Sequence, residues 1–156
     1  MKSIILLVSA IIGLIGCQRE IECRDPDTDL SFISFPQSTL DTIILRKFPK
    51  GANFQNQIDT SIYSSNNSFY NFRGDTSDLS LRNAQNILKF EFDWQIFLPA
   101  INRTILITDI KKIDKTIKCG SLSRNCFCND EVESLKVDNQ IGNVQTFPDV
   151  NRLYIR

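Results

Sequence analysis

The chain has 156 residues, with 18 lysines and arginines against 18 aspartates and glutamates, for a formal net charge of 0. With that balance and no basic run, the chain lacks the electrostatic footprint of a nucleic-acid-binding protein. It contains no histidine, which removes Ser-His-Asp and Cys-His catalysis, and neither a Gly-x-Ser-x-Gly, a Ser-x-x-Lys nor a phosphate-cradling glycine loop occurs.

At the start of the chain, Lys2 supplies one positive charge. An apolar run from Ile4 to Ile15 follows, relieved only by Ser9, Ala10 and Gly13. The run falls short of the roughly 18–20 residues that a bilayer-spanning helix needs. A charged start, a short apolar core and small residues at the exit describe a secretory signal peptide. The exit, Leu14-Ile15-Gly16-Cys17, resembles the bacterial lipoprotein box. That resemblance implies a signal peptide over residues 1–16, cleavage after Gly16, a diacylglycerol thioether on Cys17, and a fatty acyl group such as palmitate on the new amine. Two or more chains, at about 0.8 kcal/mol per buried methylene, anchor a protein stably without spanning the membrane. The expected location is the bacterial cell envelope, at the outer membrane, with the face left open by the weakly acidic Arg19-Glu20-Ile21-Glu22.

Residues 17–29 read as a lipidated N-terminal tether, and residues 30–156 as a single β domain. Asp25, Asp27 and Asp29 alternate as at the start of an EF-hand loop. The sixth and twelfth positions are Leu30 and Pro36 instead of Gly and Glu, so the match fails. Strand patterns then follow one another: Leu30 to Phe35, Asp41 to Phe48 closed by Pro49-Lys50-Gly51, Gln57 to Tyr63, and Ser68 to Phe72. Ser80 to Leu88 allows one short helical turn. The clearest periodicity comes next. Leu88, Phe90, Phe92, Trp94, Ile96 and Leu98 are apolar at every even position, while Lys89, Glu91, Asp93 and Gln95 fill most of the odd ones. Period two over that length predicts one long strand with a buried face and a wet face. Thr104 to Ile110, Ile113 to Cys119, Glu131 to Val137 and Arg152 to Ile155 complete the set. Many short strands separated by regular turns predict an all-β fold, an antiparallel β-sandwich of immunoglobulin-like or similar form, with a closed barrel as the alternative.

With Cys17 acylated, Cys23, Cys119, Cys126 and Cys128 remain, an even number in an oxidising compartment, and they are expected to form two disulfides. A bridge between Cys126 and Cys128 would close a strained ring. Two pairings stay open: Cys23 with either Cys126 or Cys128, and Cys119 with the other. The Cys-x6-Cys-x-Cys spacing does not suit zinc, and no Cys-x-x-Cys redox motif occurs. No metal or cofactor is expected.

Three further features bear on function. Glu91 and Asp93, two positions apart on one strand face, have about the reach of a glycosidase acid pair, although their lysine and glutamine neighbours suggest an exposed face. Phe69, Tyr70 and Phe72 could stack on a sugar or close the core. Asp41-Thr42-Ile43 resembles the O-glycosylation motif of Bacteroidota, which implies a glycan on Thr42.

Taken with the lipoprotein box, the segments LDTIILRKF and DWQIFLPAINRTILITDI and the late cysteine cluster resemble small envelope lipoproteins of Bacteroidota. That resemblance carries no activity and no functional residues. The expected function is a membrane-anchored, non-catalytic binding or accessory module for an envelope protein or glycan. The alternatives are a carboxylate-based glycan hydrolase and an inhibitor or immunity-type lipoprotein.

Overall fold

The computed structural model describes residues 18–24, 28–64, 70–73, 76–79, 88–120, 128, 130–146 and 151–156. Within them the chain forms β1 (Gln18–Glu22), β2 (Thr28–Ile33), β3 (Thr42–Pro49), β4 (Asp59–Ser64), β5 (Tyr70–Arg73), β6 (Thr76–Leu79) and β7 (Phe92–Leu98). The later strands are β8 (Arg103–Ile113), β9 (Thr116–Gly120), β10 (Glu131–Val137), β11 (Gln140–Ile141), β12 (Asn143–Thr146) and β13 (Asn151–Ile155). An antiparallel six-stranded sheet runs β11-β10-β8-β7-β3-β4, and a five-stranded sheet runs β12-β13-β2-β6-β5. The second sheet is antiparallel except where β13 pairs with β2. The alternating apolar residues dictate this arrangement, because each sheet has one face that must leave water. Ile43, Leu45, Trp94, Ile96, Leu98, Ile105 and Ile107 from the six-stranded sheet form one buried cluster with Leu30, Phe32, Leu153 and Ile155 from the other. The expected β-sandwich is the observed fold.

The β7–β8 hairpin lies at the centre of the larger sheet. Leu98 is fully buried, and Pro99–Ile101 makes a single 3-10 turn that ends at Asn102 in the left-handed conformation. Asparagine tolerates that conformation better than most side chains do. The long strand expected over Leu88 to Leu98 begins only at Phe92, because the chain turns at residues 88–91 and the Phe92 N–H donates to the Lys89 carbonyl at 3.3 Å. The wet-face expectation also fails at Asp93, which is 4% exposed. Its Oδ2 accepts the Gly51 N–H at 2.7 Å, and Gly51 has a φ of 74°. The loop after β3 therefore folds over this end of the sheet, where Phe54 meets Phe48 edge to face at 5.3 Å.

Within the tether expected over residues 17–29, the structure places a strand. Gln18–Glu22 forms β1 and pairs antiparallel with β9 in a separate two-stranded ribbon, Gln18 opposite Gly120 and Glu22 opposite Thr116. Ile21 opposite Ile117 gives the ribbon an apolar rung that the polar composition obscured. Strand β2 then starts at Thr28, two residues earlier than expected. Strand β8 runs through to Ile113 and breaks at Asp114 and Lys115 before β9 begins. The expected signal peptide (residues 1–16), Cys17, Asp25 and Asp27, Phe69, most of the helical turn at Ser80 to Leu88, and Cys126 lie outside the described residues. Among the described residues, no helix is long and apolar enough to cross a membrane.

Candidate functional site

Two surface features combine defined geometry with chemistry. The first lies where the β1–β9 ribbon joins the sandwich. The Cys23 N–H donates to the Lys115 carbonyl at 2.9 Å, the Arg24 N–H to the Cys128 carbonyl at 3.0 Å, and the Asp130 N–H to the Arg24 carbonyl at 2.7 Å. These bonds hold Cys23 and Arg24 against Lys115, Cys128 and Asp130, and a Cys23–Cys128 disulfide locks them, with Cα atoms 4.8 Å apart and a sequence separation of 105. Of the pairings left open by the sequence, this is the one that uses Cys128. Cys119 is also disulfide-bonded, and Cys126, its expected partner, lies outside the described residues.

Beside the bridge sits Asp130, only 3% exposed. A buried carboxylate is costly unless its charge and lone pairs are matched. Here Oδ2 pairs with Lys112 Nζ at 2.9 Å, Oδ1 accepts the Lys115 N–H at 2.8 Å, and the Asp130 carbonyl accepts from Asn151 Nδ2 at 3.3 Å. Lys112 Nζ also lies 2.7 Å from Asp114 and 4.6 Å from the centre of the Phe90 ring. Lys115 pairs with Glu131. The Lys112 hydrogen bond, aided by its charge, lowers the pKa of the exposed Asp114 carboxyl below the ordinary aspartate value. Between these groups and Glu22, Cys23 and Thr116 is a polar cleft of about 360 Å³. Its lysines are held by carboxylates of the same chain, so the cleft is a clasp for the ribbon. Among the described residues, no three metal-ligating side chains gather at one point.

The clasp makes a testable demand. Asp130→Asn keeps an acceptor for the Lys115 N–H but removes the charge opposite Lys112, and should cost about 2 kcal/mol. Urea unfolding should report a lower midpoint at an unchanged m-value; an unchanged midpoint would show that the ion pair contributes no net stability.

The second feature is the outer face of the six-stranded sheet. Cross-strand partners share a face, and Ile44 lies opposite both Ile62 on β4 and Phe97 on β7. In the adjacent row Arg46 lies opposite Thr60 and Gln95, and Gln95 lies opposite Leu106. Arg46 donates to Gln95 Oε1 at 2.7 Å and stacks 5.6 Å from the centre of the Phe97 ring. Ile62 is 63% exposed, while Ile44 and Phe97 are half-buried. Among the described residues β4 has no neighbour on its far side, so the row lies next to the edge strand of the sheet. An apolar band with a guanidinium held over it offers a partner both a desolvating surface and hydrogen-bond donors.

The residues singled out from sequence fare unevenly. Glu91 is exposed in the turn before β7, whereas Asp93 is buried within the strand and engaged by Gly51, so the two do not share a strand face. Thr42 opens β3 half-buried, between exposed Asp41 and buried Ile43. Tyr70 and Phe72 lie on β5, at the edge of the five-stranded sheet. The Ile62–Ile44–Phe97 row went unremarked, although a signal was present. The doublets Ile43-Ile44 and Ile96-Phe97 each put an apolar residue out of phase with the buried alternation. No local signal links Asp130 to Lys112, because they meet only through the β8–β10 pairing. Comparison of the chain with protein-family models, curated proteins and solved structures found no match.

Proposed function

We propose that this is a lipid-anchored protein of the bacterial outer membrane, acylated on Cys17 after removal of residues 1–16, which acts as a non-catalytic binding or accessory module. The anchor rests on Leu14-Ile15-Gly16-Cys17 and the short apolar run before it. Two disulfide-bonded sites, at Cys23–Cys128 and at Cys119, fit an exported chain. The observation that carries the binding reading is the Ile62–Ile44–Phe97 row on the outer sheet face. An envelope protein or a glycan would lay an apolar surface there and hydrogen-bond to Arg46. Nothing in the placement of Glu91 and Asp93 favours the hydrolase reading. An inhibitor or immunity role is the same binding reading with a secreted enzyme as the partner.

The test is cross-linking in the native host, followed by purification of the intact lipoprotein from membranes. The native chain is expected to retain a specific protein or glycan that an Ile62→Asp variant, equally abundant and equally folded, does not. Retention unaffected by Ile62→Asp, or nothing retained by the native chain, would remove this face as the binding surface. In the same preparation, a mass increment on the Thr42 peptide would reveal the glycan.

A further inference from the structure

We infer that the β1–β9 ribbon is the membrane-proximal stalk of this protein: a short, cross-linked β-arm that places the domain at a set distance and attitude above the lipid surface. The inference rests on the acylation of Cys17 proposed above. Strand β1 starts at Gln18, the residue bonded to Cys17, so no slack chain separates a lipid on that cysteine from hydrogen-bonded structure. From Gln18 the strand runs antiparallel to β9 for five residues, a length of about 15 Å at the rise of an extended strand. The Gln18–Gly120 rung is the lipid-facing tip, and Glu22–Thr116 is the last rung before the domain.

Several ties between described residues hold that root. The Cys23–Cys128 bond spans it. The Cys23, Arg24 and Asp130 N–H groups bond across it, and Asp130 ties Lys112 on β8 to the Lys115 backbone just ahead of β9. The second ribbon strand carries a further tie, since Cys119 opposite Arg19 is disulfide-bonded and buried. One ribbon face bears Ile21 opposite Ile117, and the other bears the exposed Glu20–Lys118 pair at 3.8 Å. A free segment covering residues 17–29 would instead wander over roughly 20 Å of end-to-end distance and would leave the domain free to tumble. The stalk fixes which surfaces face the bilayer, so the outer face bearing Ile62 holds a constant attitude to the membrane.

The chain contains a single tryptophan, Trp94, buried in the sandwich. It serves as an energy-transfer donor to dansyl headgroups in vesicles of phosphatidylethanolamine and phosphatidylglycerol. The full-length lipoprotein from its host is reconstituted in three forms: native, with Gly-Ser-Gly-Ser inserted between Cys17 and Gln18, and with Cys23→Ser and Cys128→Ser together. Circular dichroism checks the fold of each, and intact mass reads the acylation of Cys17. For the native chain a narrow donor-lifetime distribution is expected, and the insertion should broaden it about twofold, in line with the end-to-end spread of flexible linkers. The cysteine variant, where it folds, should broaden it as well. An acylated native chain whose distribution is already broad and insensitive to the insertion would overturn the stalk and leave the anchor standing. A mass without acylation on Cys17 would remove the anchor, and the stalk with it. The insertion variant leaves every disulfide and strand untouched, so loss of fold in the cysteine variant does not blunt the test.

Discussion

Replacing Cys23 and Cys128 together by serine should lower the unfolding free energy by about 4–5 kcal/mol, the chain-entropy value for a loop of roughly this length. The bridge joins residues 105 positions apart, and the closed loop takes in most of both sheets. Small domains hold about 5–15 kcal/mol in total, so the variant would sit near its folding threshold. Urea titrations of native and variant protein should differ in midpoint by several times the experimental error. The m-value should also rise in the variant, because its unfolded state is more expanded. The variant is a better instrument than a reducing agent, which would also open the bond at Cys119. A loss below about 1 kcal/mol would show that the loop-entropy argument does not apply to this bridge.

Trp94→Ala should cost about 3–5 kcal/mol, the range for deleting a large aromatic side chain from a core. Trp94 is 7% exposed and packs in the cluster shared by the two sheets. Its indole N–H donates to the Lys89 carbonyl at 3.0 Å, and its ring meets Phe92 edge to face at 6.3 Å. The side chain therefore fills the core and also ties the turn at residues 88–91 to the strand that follows. Trp94→Phe separates these roles. It keeps most of the volume but removes the indole hydrogen bond, leaving the Lys89 carbonyl with the Phe92 N–H alone, and should cost about 1 kcal/mol. Far-UV circular dichroism is the right probe, since the substitutions remove the only indole. Equal losses for Ala and Phe would assign the whole effect to the hydrogen bond and refute the cavity argument.

The larger sheet was legible because its strands are written as alternation. Trp94, Ile96, Leu98, Ile105 and Ile107 fall in phase, and all are buried. Pro49-Lys50-Gly51 also marked a real chain reversal. What escaped was structure whose cause lies far away in sequence. Strand β1 looked like linker because a two-stranded ribbon with one polar face has little hydrophobic signature, and its partner β9 lies nearly a hundred residues on. Strands β6 and β12 are four residues each and polar enough to pass for loop. Asp93 followed the charge alternation and was expected in water. It is buried instead, because a glycine N–H in the loop after β3 needed an acceptor. The clasp around Asp130 failed to announce itself for the same reason. A buried ion pair can be read only once the pairing that joins its halves is known.

The one parallel strand pairing among the described residues of the smaller sheet sets a timetable for assembly. Thr28 aligns with Asn151 and Phe32 with Ile155, so β2 acquires this neighbour only when β13 is made, more than a hundred residues later. Leu30 and Phe32 must wait uncovered on that side while the intervening strands emerge, and so distant a closure makes for slow folding and a period of exposure to sticky encounters. Such a chain gains from a holding chaperone during its making, and substitutions in β13 should reveal themselves first as poor yield.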